Sequence, residues 1–180
     1  MPIPKFSRLA ESARRAVALW RADVSGVSAV EFAILAPMFI GLVVVAIMTS
    51  VIFLAKSELD AATQAAARLV MTGQAASVAD VKTGLCNNIG GMFTCANFMV
   101  NMNSYTSSAL DSIVTSTPTI TYNTNGTVSN TWGTSPGTAG SIMVLQVMYQ
   151  FPVVGGSLFS FGNTSNGMAL LISTAVFVNE

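Results

Sequence analysis

Residues 26–55 read GVSAVEFAILAPMFIGLVVVAIMTSVIFLA, and the uncharged part of that stretch runs from Phe32 to Ala55, 24 residues in all. A helix rises about 1.5 Å per residue, so this run is long enough to cross a hydrocarbon core of about 30 Å. Glu31 stands at its border, Gly26 lies five residues before Glu31, and five basic residues lie further upstream. The order is a basic segment, a glycine, an acid at the fifth position after it, an aromatic, then an apolar span. A secretory signal peptide also joins basic to apolar sequence. Its apolar part, however, is about 7 to 15 residues long and ends in a small-residue cleavage site, whereas this run is longer and is followed by Lys56.

Charge is divided unevenly along the chain. Residues 1–26 carry Lys5, Arg8, Arg14, Arg15 and Arg21 against Glu11 and Asp23, a surplus of three positive charges. The remainder carries Lys56, Arg68 and Lys82 against Glu31, Glu58, Asp60, Asp80, Asp111 and Glu180, a surplus of three negative charges. Short basic flanks stay in the cytoplasm, so this asymmetry predicts an export of everything after the span. Residues 4–21 read either as a basic amphipathic helix on a membrane surface, with Phe6, Leu9, Ala13, Val17 and Trp20 to one side, or as an unstructured leader. The chain has 180 residues, room for one span and one domain of about 100 residues. Only 9% of it is charged, and no basic surface suited to nucleic acid is apparent.

Two features shape the segments that follow. Pro37 sits in the first half of the span, where the lost N–H and the ring clash predict a kink. From Lys56 to about Gln74, KSELDAATQAAARLVMTGQ continues the helix into water. Leu59, Ala62, Ala66 and Leu69 recur at helical spacing, and Gly73 is a stop. That narrow stripe of small side chains suits close packing on the chain's own domain or on a partner subunit.

After Gly73 the period changes. A short helix or turn is expected over residues 77–89, then strands around 92–102, around Ile120 and Tyr122, along Met143, Leu145, Val147 and Tyr149, and through the closing run MALLISTAVFV. Residues 123–141 form a turn-rich loop with Trp132 in its middle, and a second loop covers about 155–166. Strands joined by loops favour an antiparallel sheet with the long helix packed on it. The fold class expected is therefore α+β: a long amino-terminal transmembrane helix continuing into an exported helix, packed on a small antiparallel sheet of about four strands.

Cys86 and Cys95 are the only cysteines, nine apart in the exported part, and the even count argues for a disulfide there; two buried free thiols are the alternative. A metal site is disfavoured because the chain contains no histidine. That absence also removes the commonest general base. Asp60, Asp80 and Asp111 are scattered and read as surface or helix-end residues, and no serine elbow or phosphate loop is present. The sequence thus argues against an enzyme and calls for no cofactor.

Glu31 has two readings. It can snorkel to the headgroups of an ordinary anchor, since a carboxylate in lipid costs about 2 to 3 kcal/mol. Alternatively, cleavage after Gly26 makes Val27 the new amino terminus and Glu31 the fifth residue, whose charge the ammonium of a neighbouring subunit neutralises. At these residues the sequence resembles the type IV pilin superfamily and, more narrowly, GVSAVEFAILAPMF looks like the TadE-like minor pilins (pseudopilins) of the bacterial Tad, or tight adherence, pilus. The far end, VMYQFPVV with ISTAVFVNE, is similar to that family's closing strands.

The resemblance implies that prepilin peptidase cuts between Gly26 and Val27, with Glu31 and Phe32 recognised in processing and assembly. It implies a subunit that initiates or primes a pilus, at the inner membrane or the pilus tip. Its partners would be other minor pilins, the major pilin, the inner-membrane assembly platform and membrane lipid. On this basis residues 1–26 are a cleaved basic leader, 27–55 the transmembrane helix, 56–76 its periplasmic extension and 77–180 a pilin-like domain. The rivals are an uncleaved single-pass anchor whose exported domain binds partners, and an envelope enzyme with an unfamiliar site.

Overall fold

A computed structural model describes residues 26–106, 119–135, 137–153 and 162–179. The expected leader helix at residues 4–21, Asp111 and much of the 155–166 loop lie outside these. Helix α1 spans Val27–Met71 and runs unbroken through Pro37. By length and composition it is long and apolar enough to cross a membrane. The described residues divide into two compact units, one up to residue 46 and one from residue 47 onward.

Within the second unit α1 ends where its sequence says it should. Gly73 takes φ +69°, a conformation open to glycine, and its N–H bonds the Val70 carbonyl at 3.0 Å while Gln74 N–H bonds Leu69 O at 2.8 Å. This pair of bonds is a Schellman cap, which satisfies carbonyls that the last turn leaves open. Helix α2, Val78–Asn87, begins at a capping box: Ser77 Oγ accepts from Asp80 N, and the Asp80 carboxylate accepts from Ser77 N at 3.0 Å. Asp80 is thus a helix-end residue, and its charge also suits the positive end of the helix.

Three strands follow: β1 Met99–Tyr105, β2 Ile142–Phe151 and β3 Ala169–Val178. They form one antiparallel meander in the order β1-β2-β3. The register brings Val100 opposite Val147 and Met102 opposite Leu145, and sets Leu171 against Tyr149. Side chains alternate across a strand, so these residues share one face with Met143 and Phe151. That face joins the buried stripe of α1, Ala55, Leu59, Ala62, Ala66 and Val70, in a single core. The stripe therefore serves the chain's own domain. Its alanines are wholly covered, and small side chains are what allow the helix backbone to lie so near its neighbours.

The sheet has three strands among the described residues where about four were expected. The stretch around Ile120 and Tyr122 alternates as a strand would, but Tyr122 is exposed and pairs only in an isolated bridge with Val128. Thr121 N–H bonds the Asn130 side chain and Asn123 N–H bonds Thr127 O, closing a local turn structure instead. The expected strand at 92–102 also starts later. Residues Cys95–Asn97 form a single 3₁₀ turn, and only from Met99 does pairing begin. The turn lets Phe93 and Phe98 both enter an aromatic cluster with Tyr149 and Phe151, at ring separations of 4.9 to 5.9 Å. Tyr149 hydroxyl accepts from Thr94 N at 3.1 Å, so the buried phenol is satisfied.

Both outer sheet edges carry a side-on partner. Residues 133–135 run beside β1, with Met102 N donating to Gly133 O and Ser135 N to Met102 O. At β3, Lys56 Nζ donates to the Ile172 carbonyl and pairs with Asp60 at 2.6 Å. Cys86 and Cys95 are joined by a disulfide, with Cα atoms 5.8 Å apart, tying the end of α2 to the 3₁₀ turn.

Candidate functional site: the start of the long helix

The first turns of α1 are built from the residues on which the sequence argument turned. Gly26 lies just outside the helix, and its carbonyl accepts the Val30 N–H at 3.1 Å. It is exposed, and a methyl group placed on it would meet nothing within 4 Å. Val27 opens the helix at 52% exposure, so the Gly26–Val27 peptide bond is accessible. Glu31, the fifth helical residue, is exposed as well.

Beside Glu31 stands a stripe of large apolar groups. Phe32, Leu35, Ala36, Phe39 and Ile40 line one shallow recess, at the i, i+3, i+4, i+7, i+8 spacing that puts them on one side of the helix. Phe32, Leu35 and Phe39 are 63 to 72% exposed, so nothing among the described residues of the chain covers them. Transfer of apolar area from water stabilises by about 25 cal/mol per Å², so such a stripe calls for lipid or other helices around it. In lipid the driving force between helices is packing and polar pairing rather than exclusion of water.

Pro37 lies in this same segment, four residues after Ala33, whose carbonyl it cannot bond. Helix α1 continues past both Pro37 and Gly41. Val27, Glu31 and Phe32 fall within the first two turns of α1, with Gly26 immediately before it, while the disulfide belongs to the other compact unit. Sequence reasoning missed two features of that unit. One is Glu58, whose Oε2 is buried without a hydrogen-bond partner among the described residues, and whose two oxygens would lie 3.1 and 3.4 Å from a Cβ added to Gly90. The other is a cleft that involves Lys82, a residue with no periodic or motif signal of its own.

Residues 26–68 match the family described as TadE-like protein. The matched segment begins at Gly26 itself and follows α1 almost to its end. Among curated proteins and among solved structures, nothing matches the chain.

Proposed function

The chain being TadE-like over residues 26–68, we propose that it is a minor pilin of a Tad-type pilus, processed after Gly26 and used to initiate or prime assembly. The observation that carries this reading is the coincidence of three things at one place: the start of the family match, an accessible Gly26–Val27 bond, and an exposed acid on the fifth helical residue. Prepilin peptidase hydrolyses the bond, leaving the Gly26 carboxylate on the leader and an ammonium on Val27. Val30 N–H loses its acceptor in the same step, so the new helix end presents a cluster of free donors and a positive charge.

Glu31 of a neighbouring subunit answers that charge. Pairing offsets the cost of holding a carboxylate against apolar surface, and the Phe32 to Ile40 stripe supplies the packing alongside it. The domain formed after α1 supports a minor rather than a repeating role, because its bulk obstructs dense helix packing along a shaft. On this reading the basic leader is cytoplasmic, the domain periplasmic, and the partners are the peptidase, other minor pilins, the major pilin and the assembly platform.

The intact mass of the membrane-extracted protein tests the first step. Loss of residues 1–26 is expected; retention of Met1 in cells with active peptidase would favour the uncleaved anchor instead. Gly26→Ala is expected to block processing. Since its added methyl has free space, a block reflects the peptidase's requirement rather than misfolding. Glu31→Ala is expected to be cleaved normally and to fail in assembly, scored by pilus counts; normal piliation of both mutants would refute the mechanism.

A further inference from the structure

A cleft of about 630 Å³ opens at one end of the sheet, where β1 begins and β2 ends. One wall is α2 and the 3₁₀ turn, which contribute Lys82 and Asn97; the other is the 127–134 loop, which contributes Trp132, Thr127 and Thr134. Gln150 of β2, Phe98 and Met99 also line the cleft. The volume falls inside the range of about 300 to 1,000 Å³ usual for small-ligand sites.

Both walls are held in place by bonds that no ligand needs to supply. The Cys86–Cys95 disulfide fixes α2 to the 3₁₀ turn. The loop is tied down by Gly133 N–H to Asn101 Oδ1 at 2.8 Å, by Met102 N–H to Gly133 O, and by Gln150 Nε2 to Gly126 O at 2.8 Å. A preformed site spends less binding energy on ordering itself.

The lining specifies a chemistry. Beside apolar side chains such as Val78, Phe98 and Met168, it holds one indole, two amides, two threonine hydroxyls and no carboxylate among the described residues. Lys82 is its one cation, and it makes neither an ion pair nor a hydrogen bond among the described residues. An indole that shares an apolar-lined cleft with amides and hydroxyls suits a pyranose, whose C–H face covers the ring while its hydroxyls meet the polar side chains. An ammonium with no acid beside it among the described residues suits a ligand with a carboxylate. We propose that this cleft binds a short acidic oligosaccharide, its sugar ring on Trp132 and its carboxylate on Lys82. The site rests on the proposed export of the domain but not on pilin processing or assembly, and it is tested on the purified chain.

Acidic sugars have two sources in an envelope: the lactyl carboxylate of wall glycan stripped of its peptide stems, and the uronic acids of extracellular polysaccharide. The probes are therefore an N-acetylglucosamine–N-acetylmuramic acid disaccharide and trigalacturonate, with neutral chitotriose as control. Trp20→Phe in the full detergent-solubilised chain leaves Trp132 as the sole indole, since the chain has 2 tryptophans. Saturable change in its fluorescence with either acidic probe, at least tenfold tighter than with chitotriose, is expected, and the tighter acid identifies the source. Lys82→Gln should weaken binding about tenfold and abolish its salt dependence, and Trp132→Ala should abolish binding measured by calorimetry. Absence of saturation by both acids up to millimolar concentration overturns the proposal. So does equal binding of chitotriose, or binding indifferent to Lys82→Gln.

Discussion

Two glycines show how one missing methyl group can matter very differently. At Gly84, within α2, an added Cβ would come 2.6 Å from Leu69 Cδ1, the far end of a flexible side chain on α1. Leu69 can rotate away, and alanine is the better helix former by about 0.5 to 1 kcal/mol, so Gly84→Ala should change stability by less than about 1 kcal/mol. At Gly133 the added Cβ would fall 1.9 Å from Asn103 Oδ1 and 2.9 Å from the Met102 carbonyl, a backbone atom that cannot step aside. Gly133→Ala should lift the loop from β1, breaking its bonds to Asn101 and Met102. Limited proteolysis reads the difference: faster cutting within residues 127–135 for Gly133→Ala, unchanged cutting for Gly84→Ala.

Among the secondary elements, α1 carries two jobs on one continuous helix. Its early residues leave large apolar groups uncovered, while from Ala55 onward one side is buried in the domain core. Ala66 is fully covered and Ala61 is exposed. Ala66→Leu should therefore destabilise the domain by about 1 to 3 kcal/mol through overpacking, while Ala61→Leu should be close to neutral. Urea unfolding followed by circular dichroism of the detergent-solubilised chain measures both. The disulfide acts on a different pair of elements. Closing a loop of this length stabilises by about 2 to 3 kcal/mol on the chain-entropy estimate, so a Cys86→Ser, Cys95→Ser double variant should lose about that amount. The same variant should loosen the α2 wall of the cleft, and hence weaken any ligand held there.

At the scale of the whole molecule, the governing feature is the separation of charge about the apolar run. Replacing Lys5, Arg8, Arg14, Arg15 and Arg21 by Gln removes the basic surplus of the amino end while leaving α1 and the domain untouched. If the positive-inside bias sets orientation, the variant should insert in mixed orientations. Protease added to spheroplasts should then digest the domain of the native chain fully and that of the variant only in part. Full digestion of both would show that the leader does not orient the chain.

Much of this architecture could be read in advance because it depends on local pattern. The uninterrupted run from Phe32 to Ala55, the alanine stripe, Gly73 and the alternation along β2 each state their structure within a few residues, since hydrogen bonding and burial repeat with the period of the element. The spacing of Gly26 and Glu31 is equally local, Gly26 standing just before α1 and Glu31 at its fifth residue. Tertiary structure decided the rest. The segment around Tyr122 has strand periodicity yet no place in the sheet, because β1 already has residues 133–135 on its outer edge. The residues of the cleft come from segments between 78 and 168, and no local pattern links Lys82 to Trp132. Only the packing of α2 and the long loop against the same sheet end brings their chemistry together, and long-range packing leaves no periodic trace in the chain.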